Sequence, residues 1–310
     1  MSKFEISEYC VIYVDLMGQK LFLHDLEKSK KEDAQSKINE LSTPLLEFKN
    51  GVNKRVNEVL DDLKSIIVNN DEFNGGSLLK SIDDVRVGVQ QFSDTTMLYV
   101  KMGSPVSFLV LLFLIEFIAF RILKDISKGL ILRGGIAVGK GWEVERNCLC
   151  GSVISEAYNL ESKVSNWGRI TVSEVLLTRL NAFCDLAREC NGWWVLALLH
   201  PLLQIINKDI DGVLFLDYLN PAVSELCKRE HFGSDWFEEC CEKGYKYIIN
   251  QAEYYQTNAN KDYEYSIYSS CCNTERGIYY YKTYENSRIV AVDMHRSNLD
   301  GECLVSFPLQ

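Results

Sequence analysis

Between Val106 and Phe120 lies an apolar run, Phe108-Leu109-Val110-Leu111-Leu112-Phe113-Leu114-Ile115, that offers no polar face. A helix apolar all round is buried on every side, in a protein core or in a bilayer. Glu116 interrupts the run, and Lys101 and Arg121 bracket it within a length short for the ~20 apolar residues of a membrane span. We therefore expect a central helix wrapped by one ample core, with no membrane as partner. The 310 residues suffice for that core plus an extension. The net charge of −10 argues against broad binding to nucleic acid.

Around this helix the periodicities alternate. Residues 9–14 read as a buried strand, and 28–68 as charged, helical sequence with Pro44 and Gly51 as expected interruptions. Val85, Val87 and Val89, then Met97 to Val100, form a hairpin pattern with Ser93-Asp94 near its tip. After the apolar helix come a strand over 130–138, a loop over 139–147, a helix over 153–164 and a strand beginning at Arg169. The order predicts a mixed α/β (α+β) fold, with a domain over 1–220 and an extension over 221–310 that packs on it.

Several motifs point nowhere. Gly134 to Gly141 has P-loop spacing, but Gly141 stands where Ser or Thr would meet magnesium, and no helix follows. His24, His200, His231 and His295 form no close pair, and no Gly-x-Ser-x-Gly elbow appears, so hydrolase and zinc chemistry lose their simplest support. The 11 cysteines are odd in number, and Met1-Ser2-Lys3-Phe4-Glu5 opens without a signal-peptide pattern. Reduced thiols in a cytoplasmic protein are expected. Cys148-Leu149-Cys150 has no second pair to complete a metal site.

Asp15 ends the apolar run 9–14 and Asp94 follows Phe92-Ser93, so both carboxylates sit where strands give way to turns, and two such acids can share divalent metal. With Arg133-Gly134-Gly135, Gly151, Ala157-Tyr158-Asn159-Leu160-Glu161 and Arg169-Ile170 they form an ordered set. This set resembles the class III nucleotidyl cyclases, and within them the pyrimidine cyclases of bacterial Pycsar anti-phage systems. The resemblance covers about residues 9–175.

It implies a ferredoxin-like βαββαβ core and a phosphorus–oxygen lyase that makes cyclic UMP or cyclic CMP, with UTP favoured. A purine cyclase and a non-catalytic nucleotide-binding module are its alternatives. Two divalent ions, Mn²⁺ or Mg²⁺, would be held by Asp15, Asp94 and the Leu16 carbonyl, to activate the ribose hydroxyl and neutralise the triphosphate. Leu16, Met17, Gly18 and Gln19 would hold phosphates through backbone N–H groups, with Gln90 and Phe92 at the substrate. Ser155 and Asn159 occupy the ribose and transition-state positions, and neutral Asn159 leaves a cation missing there. Arg133 and Arg169 are candidates for that cation, and Arg133 is equally a structural ion-pair partner. The resemblance further implies a homodimer with sites at the subunit interface and a separate cyclic-nucleotide effector.

Overall fold

Strand β1 (Ser7–Leu16) has no face to give to water: Cys10, Val11, Ile12 and Val14 are all buried. It accordingly takes the middle of the sheet, antiparallel to β3 (Thr95–Met102) on one side and to β4 (Leu132–Glu145) on the other. The structure is a computed structural model. It describes residues 4–17, 26–28, 31–68, 75–165, 168–189, 193–209, 211–229, 235–258, 268–273, 278–283 and 290–293.

Strand β2 (Val87–Phe92) pairs with β3 through a two-residue turn, Ser93-Asp94. Ser93 has φ of 54°, the left-handed conformation that tight hairpins demand. On the other flank β4 runs parallel to β6 (Ile170–Val172), followed by β8 (Leu214–Leu216) and β7 (Ile206–Lys208). The full order is β2-β3-β1-β4-β6-β8-β7, and β5 (Cys148–Cys150) pairs with the far end of β4. The fold is thus mixed α/β with a large mixed sheet, as the periodicities predict.

The apolar run becomes α3 (Pro105–Ile126). Ser104 caps it by accepting from the Ser107 N–H, and proline fits its first turn because no N–H is needed there. Ile115, Ile118, Ala119 and Ile122 have no exposed surface. Among the described residues α3 is the one helix long and apolar enough to cross a membrane, yet 83% of its most apolar stretch is buried within the protein.

Helix α1 (Lys31–Val68) runs unbroken through Pro44 and Gly51, against expectation. Contacts with α3 override local propensity here. A Cβ at Gly51 would lie 2.9 Å from the Phe117 ring. The Pro44 carbonyl accepts from Arg121 Nη2 at 2.8 Å, while Arg121 Nε donates to buried Asp125 at 2.7 Å.

Two other boundaries move. The expected loop at 139–147 is strand as far as Glu145, because β4 turns back at Arg146-Asn147 to pair with β5. The expected helix over 153–164 divides into α4 (Ser152–Asn159) and a π-helical turn, Leu160–Val164. The remaining helices are α2 (Gly75–Asp84), α5 (Glu174–Glu189), α6 (Trp193–Gln204), α7 (Pro221–Arg229) and α8 (Trp236–Asn258). Val223, Leu226, Cys227 and Cys240 from α7 and α8 join the main core.

By its contacts the chain forms two units, residues 1–249 and 250–310. The second holds an antiparallel meander of β9 (Tyr268–Asn273), β10 (Ile278–Thr283) and β11 (Val290–Asp293).

Candidate functional site

Register brings the first charges together. Asp15 stands opposite Thr95 on β3 and Arg133 on β4. Its Oδ1 accepts from Thr95 Oγ1 at 2.8 Å, and its Oδ2 accepts from Arg133 Nε at 3.3 Å and Nη2 at 3.2 Å. Arg133 is thus the ion-pair partner of Asp15, one of the two roles left open by the sequence.

A third group, Glu161, was present in the sequence motif but carried no site role there. The π-helical turn drives it inward until 2% of it is exposed, with Oε1 2.6 Å from Arg133 Nε. The single Nε–H points at Asp15 instead, so Oε1 takes charge contact without a hydrogen bond. Burial pushes the Glu161 carboxyl up, Arg133 opposes that, and Asp15 and Asp94 reinforce it. π-helical turns commonly mark special sites, and this one buries a carboxylate against a guanidinium.

The glycines of Arg133-Gly134-Gly135 make the approach possible. A Cβ at Gly134 would lie 2.3 Å from the Tyr13 carbonyl oxygen, and one at Gly135 2.2 Å from that of Ala157. Gly151, with φ of +144°, starts α4 where a side chain would meet the Lys140 carbonyl at 2.4 Å. The P-loop spacing, by contrast, lies inside β4.

Other expected site residues disperse. Asp94 sits on the β2–β3 turn and lines a cleft with Val14, Leu16, Phe48, Arg121 and Asp125. Leu16 is buried, and the Met17 N–H donates to the Ile131 carbonyl at 2.8 Å. Gly18 and Gln19 lie outside the described residues. Gln90 Oε1 accepts from the Leu149 N–H at 3.2 Å, tying β2 to β5, while Phe92 is exposed. Ser155 and Asn159 are exposed on α4, on the side away from buried Val153 and Ala157. Arg169 is a clamp: Nη1 donates to Asp209 at 2.7 Å, and Nη2 to Asp211 at 2.8 Å and the Val164 carbonyl at 2.9 Å.

Among the described residues no group of three or more His, Cys, Asp or Glu side chains is placed to hold a metal ion. Both oxygens of Asp15 are engaged, by Thr95 and by Arg133.

Comparison with known proteins points elsewhere in the chain. A family model for linear amide C–N hydrolases, choloylglycine hydrolase family, matches residues 248–307. A bile salt hydrolase/transferase of Lactiplantibacillus plantarum is 52% identical over 48 residues, 16% of this chain and 15% of that protein. One of Clostridium perfringens is 62% identical over 34 residues, 11% of this chain and 10% of that protein. The chain therefore spans about 15% or less of the length of these curated relatives. The matched residues fall downstream of the stretch, about 9–175, that carries the cyclase-like motifs.

These findings overturn the sequence-based assignment. The match is to amide hydrolases, so the class III cyclase and Pycsar resemblance is withdrawn, and with it the phosphorus–oxygen lyase, cyclic UMP or CMP synthesis and the anti-phage role. The purine-cyclase alternative falls for the same reason. The Mn²⁺ or Mg²⁺ pair is withdrawn as well, since it was inferred only from the cyclase resemblance and the matching family model describes linear amide C–N hydrolases.

Proposed function

We propose that the chain serves the hydrolysis of a linear amide C–N bond, with an amide-linked bile salt as substrate class and residues 248–307 as the segment tied to that activity. The observation that supports this reading most is the 52% identity to a bile salt hydrolase/transferase over 48 residues. The family match over 248–307 spans β9, β10 and β11, an antiparallel meander whose register is continuous between neighbours.

The chemistry asks for a nucleophile at the amide carbonyl, N–H donors for the tetrahedral oxyanion, and a proton for the departing amine. The reading invokes no metal or organic cofactor. Its test is incubation of the full chain with an amide-linked bile salt, following free amine and free carboxylate. Equimolar release of both supports the reading, and release no faster than with heat-inactivated protein refutes it.

For the first unit, the strand order β2-β3-β1-β4 with helical crossovers supports a ferredoxin-like βαββαβ core as the finer description. Asp15, Asp94 and Arg133 are proposed as a polar binding site there, with Ser155 and Asn159 supplied by a second copy. Sedimentation equilibrium tests the self-association this requires. Twice the chain mass supports it, and a monomer at high concentration refutes it.

A further inference from the structure

Cys148 and Cys150 are two residues apart on β5, with Leu149 between them buried. Alternation along a strand places both thiols on the face opposite Leu149. Each is half-buried and free. The strand is held in place from two sides. Gln90 Oε1 accepts from the Leu149 N–H, Asn147 Oδ1 accepts from the Val89 N–H, and β4 pairs along its length.

Such a pair suits neither a disulfide nor a hard ion. A disulfide needs Cβ atoms ~3.5–4.5 Å apart, which same-face strand neighbours reach only by bending the backbone. Hard cations want several oxygen ligands, and no third group completes a cluster among the described residues. Two sulfurs bridged by one soft atom require much less movement. Glu145 stands opposite Cys148 on β4.

The geometry points to Cys148 and Cys150 as a two-coordinate site for a soft, thiophilic monovalent cation such as Cu(I). Binding releases both thiol protons to solvent and forms two metal–sulfur bonds, with no electron transferred. The site is independent of the amide-hydrolase reading.

The test uses the full chain with Cu(I) under anaerobic conditions and two readouts. Native mass spectrometry should show one copper fewer bound to the Cys148→Ser/Cys150→Ser protein than to the wild type. Equal copper counts overturn the site. Trypsin releases residues 147–163, in which these are the only cysteines. On that peptide Cu(I) should slow alkylation of both thiols by about tenfold or more, the equivalent of ~1.4 kcal/mol. The Cys150→Ser change should remove the protection of Cys148. Protection of Cys148 that persists in Cys150→Ser refutes the bridge, and far-ultraviolet circular dichroism confirms that the serine variants are folded.

Discussion

Replacing Gly135 by alanine probes the packing on which the candidate site rests. The added Cβ would lie 2.2 Å from the Ala157 carbonyl oxygen, 2.7 Å from Leu160 Cβ and 3.0 Å from the Glu161 N atom. Two of these neighbours are backbone, so no side-chain rotation relieves the clash. The end of α4 and the π-helical turn must retreat from β4 by about 1 Å, in an interior packed as densely as an organic crystal. Overpacking of this kind costs about 2–3 kcal/mol. It also draws Glu161 away from Arg133, since Glu161 belongs to the displaced turn. Urea denaturation followed by tryptophan fluorescence measures the loss. Gly103→Ala is the control, because a Cβ there meets nothing within 4 Å. It should change stability by less than about 0.5 kcal/mol. If both variants fall within that margin, the close approach of β4 to the π-helical turn is wrong.

Three further outcomes follow from the same geometry. Glu161 has a folded-state carboxyl value above its unfolded one, chiefly through burial, so its contribution is complete below the ordinary 4.5 and is lost as pH rises through the folded value. Glu161→Gln, neutral at every pH, should flatten the fall in stability above pH 4.5; an unchanged slope in urea titrations would falsify that assignment. Arg169→Met should destabilise by about 2 kcal/mol at neutral pH through loss of charged hydrogen bonds. Hydrogen bonding to Arg169 lowers the Asp211 carboxyl, so that pairing persists above the unfolded value and is lost as acid protonates the folded carboxylate. The Arg169→Met deficit should therefore shrink in acid, and a deficit independent of pH contradicts the clamp. Gln90→Ala should leave stability within about 1 kcal/mol yet speed hydrogen exchange at the Leu149 amide, whose acceptor it removes; unchanged exchange refutes the tie between β2 and β5.

Much of the first unit is legible in the sequence because its signals are local and strong. The apolar run at 106–120 reads as a buried helix, and the alternation of Val87 and Val89 with Ser93-Asp94 reads as a hairpin, with Val85 just before β2. The continuity of α1 through Pro44 was not legible, because it depends on Arg121, which lies 77 positions away. The site was read in part. Asp15 and Arg133 were singled out, but their pairing is a matter of register between β1 and β4. Glu161 needed the π-helical turn to become visible, since a regular helix would set its side chain at another angle.

The functional assignment failed for a different reason. The motif spacing lies over residues 9–175, while the matching family model covers 248–307. There the tyrosine- and cysteine-rich stretch carries no short motif that physical reasoning alone converts into amide chemistry.

The central claim meets its most direct test in one paired assay on the full chain. One aliquot receives an amide-linked bile salt, and another receives each of the four nucleoside triphosphates with Mn²⁺. The account predicts release of amine and carboxylate in the first and no cyclic nucleotide in the second. A cyclic nucleotide formed without any amide cleavage would contradict it.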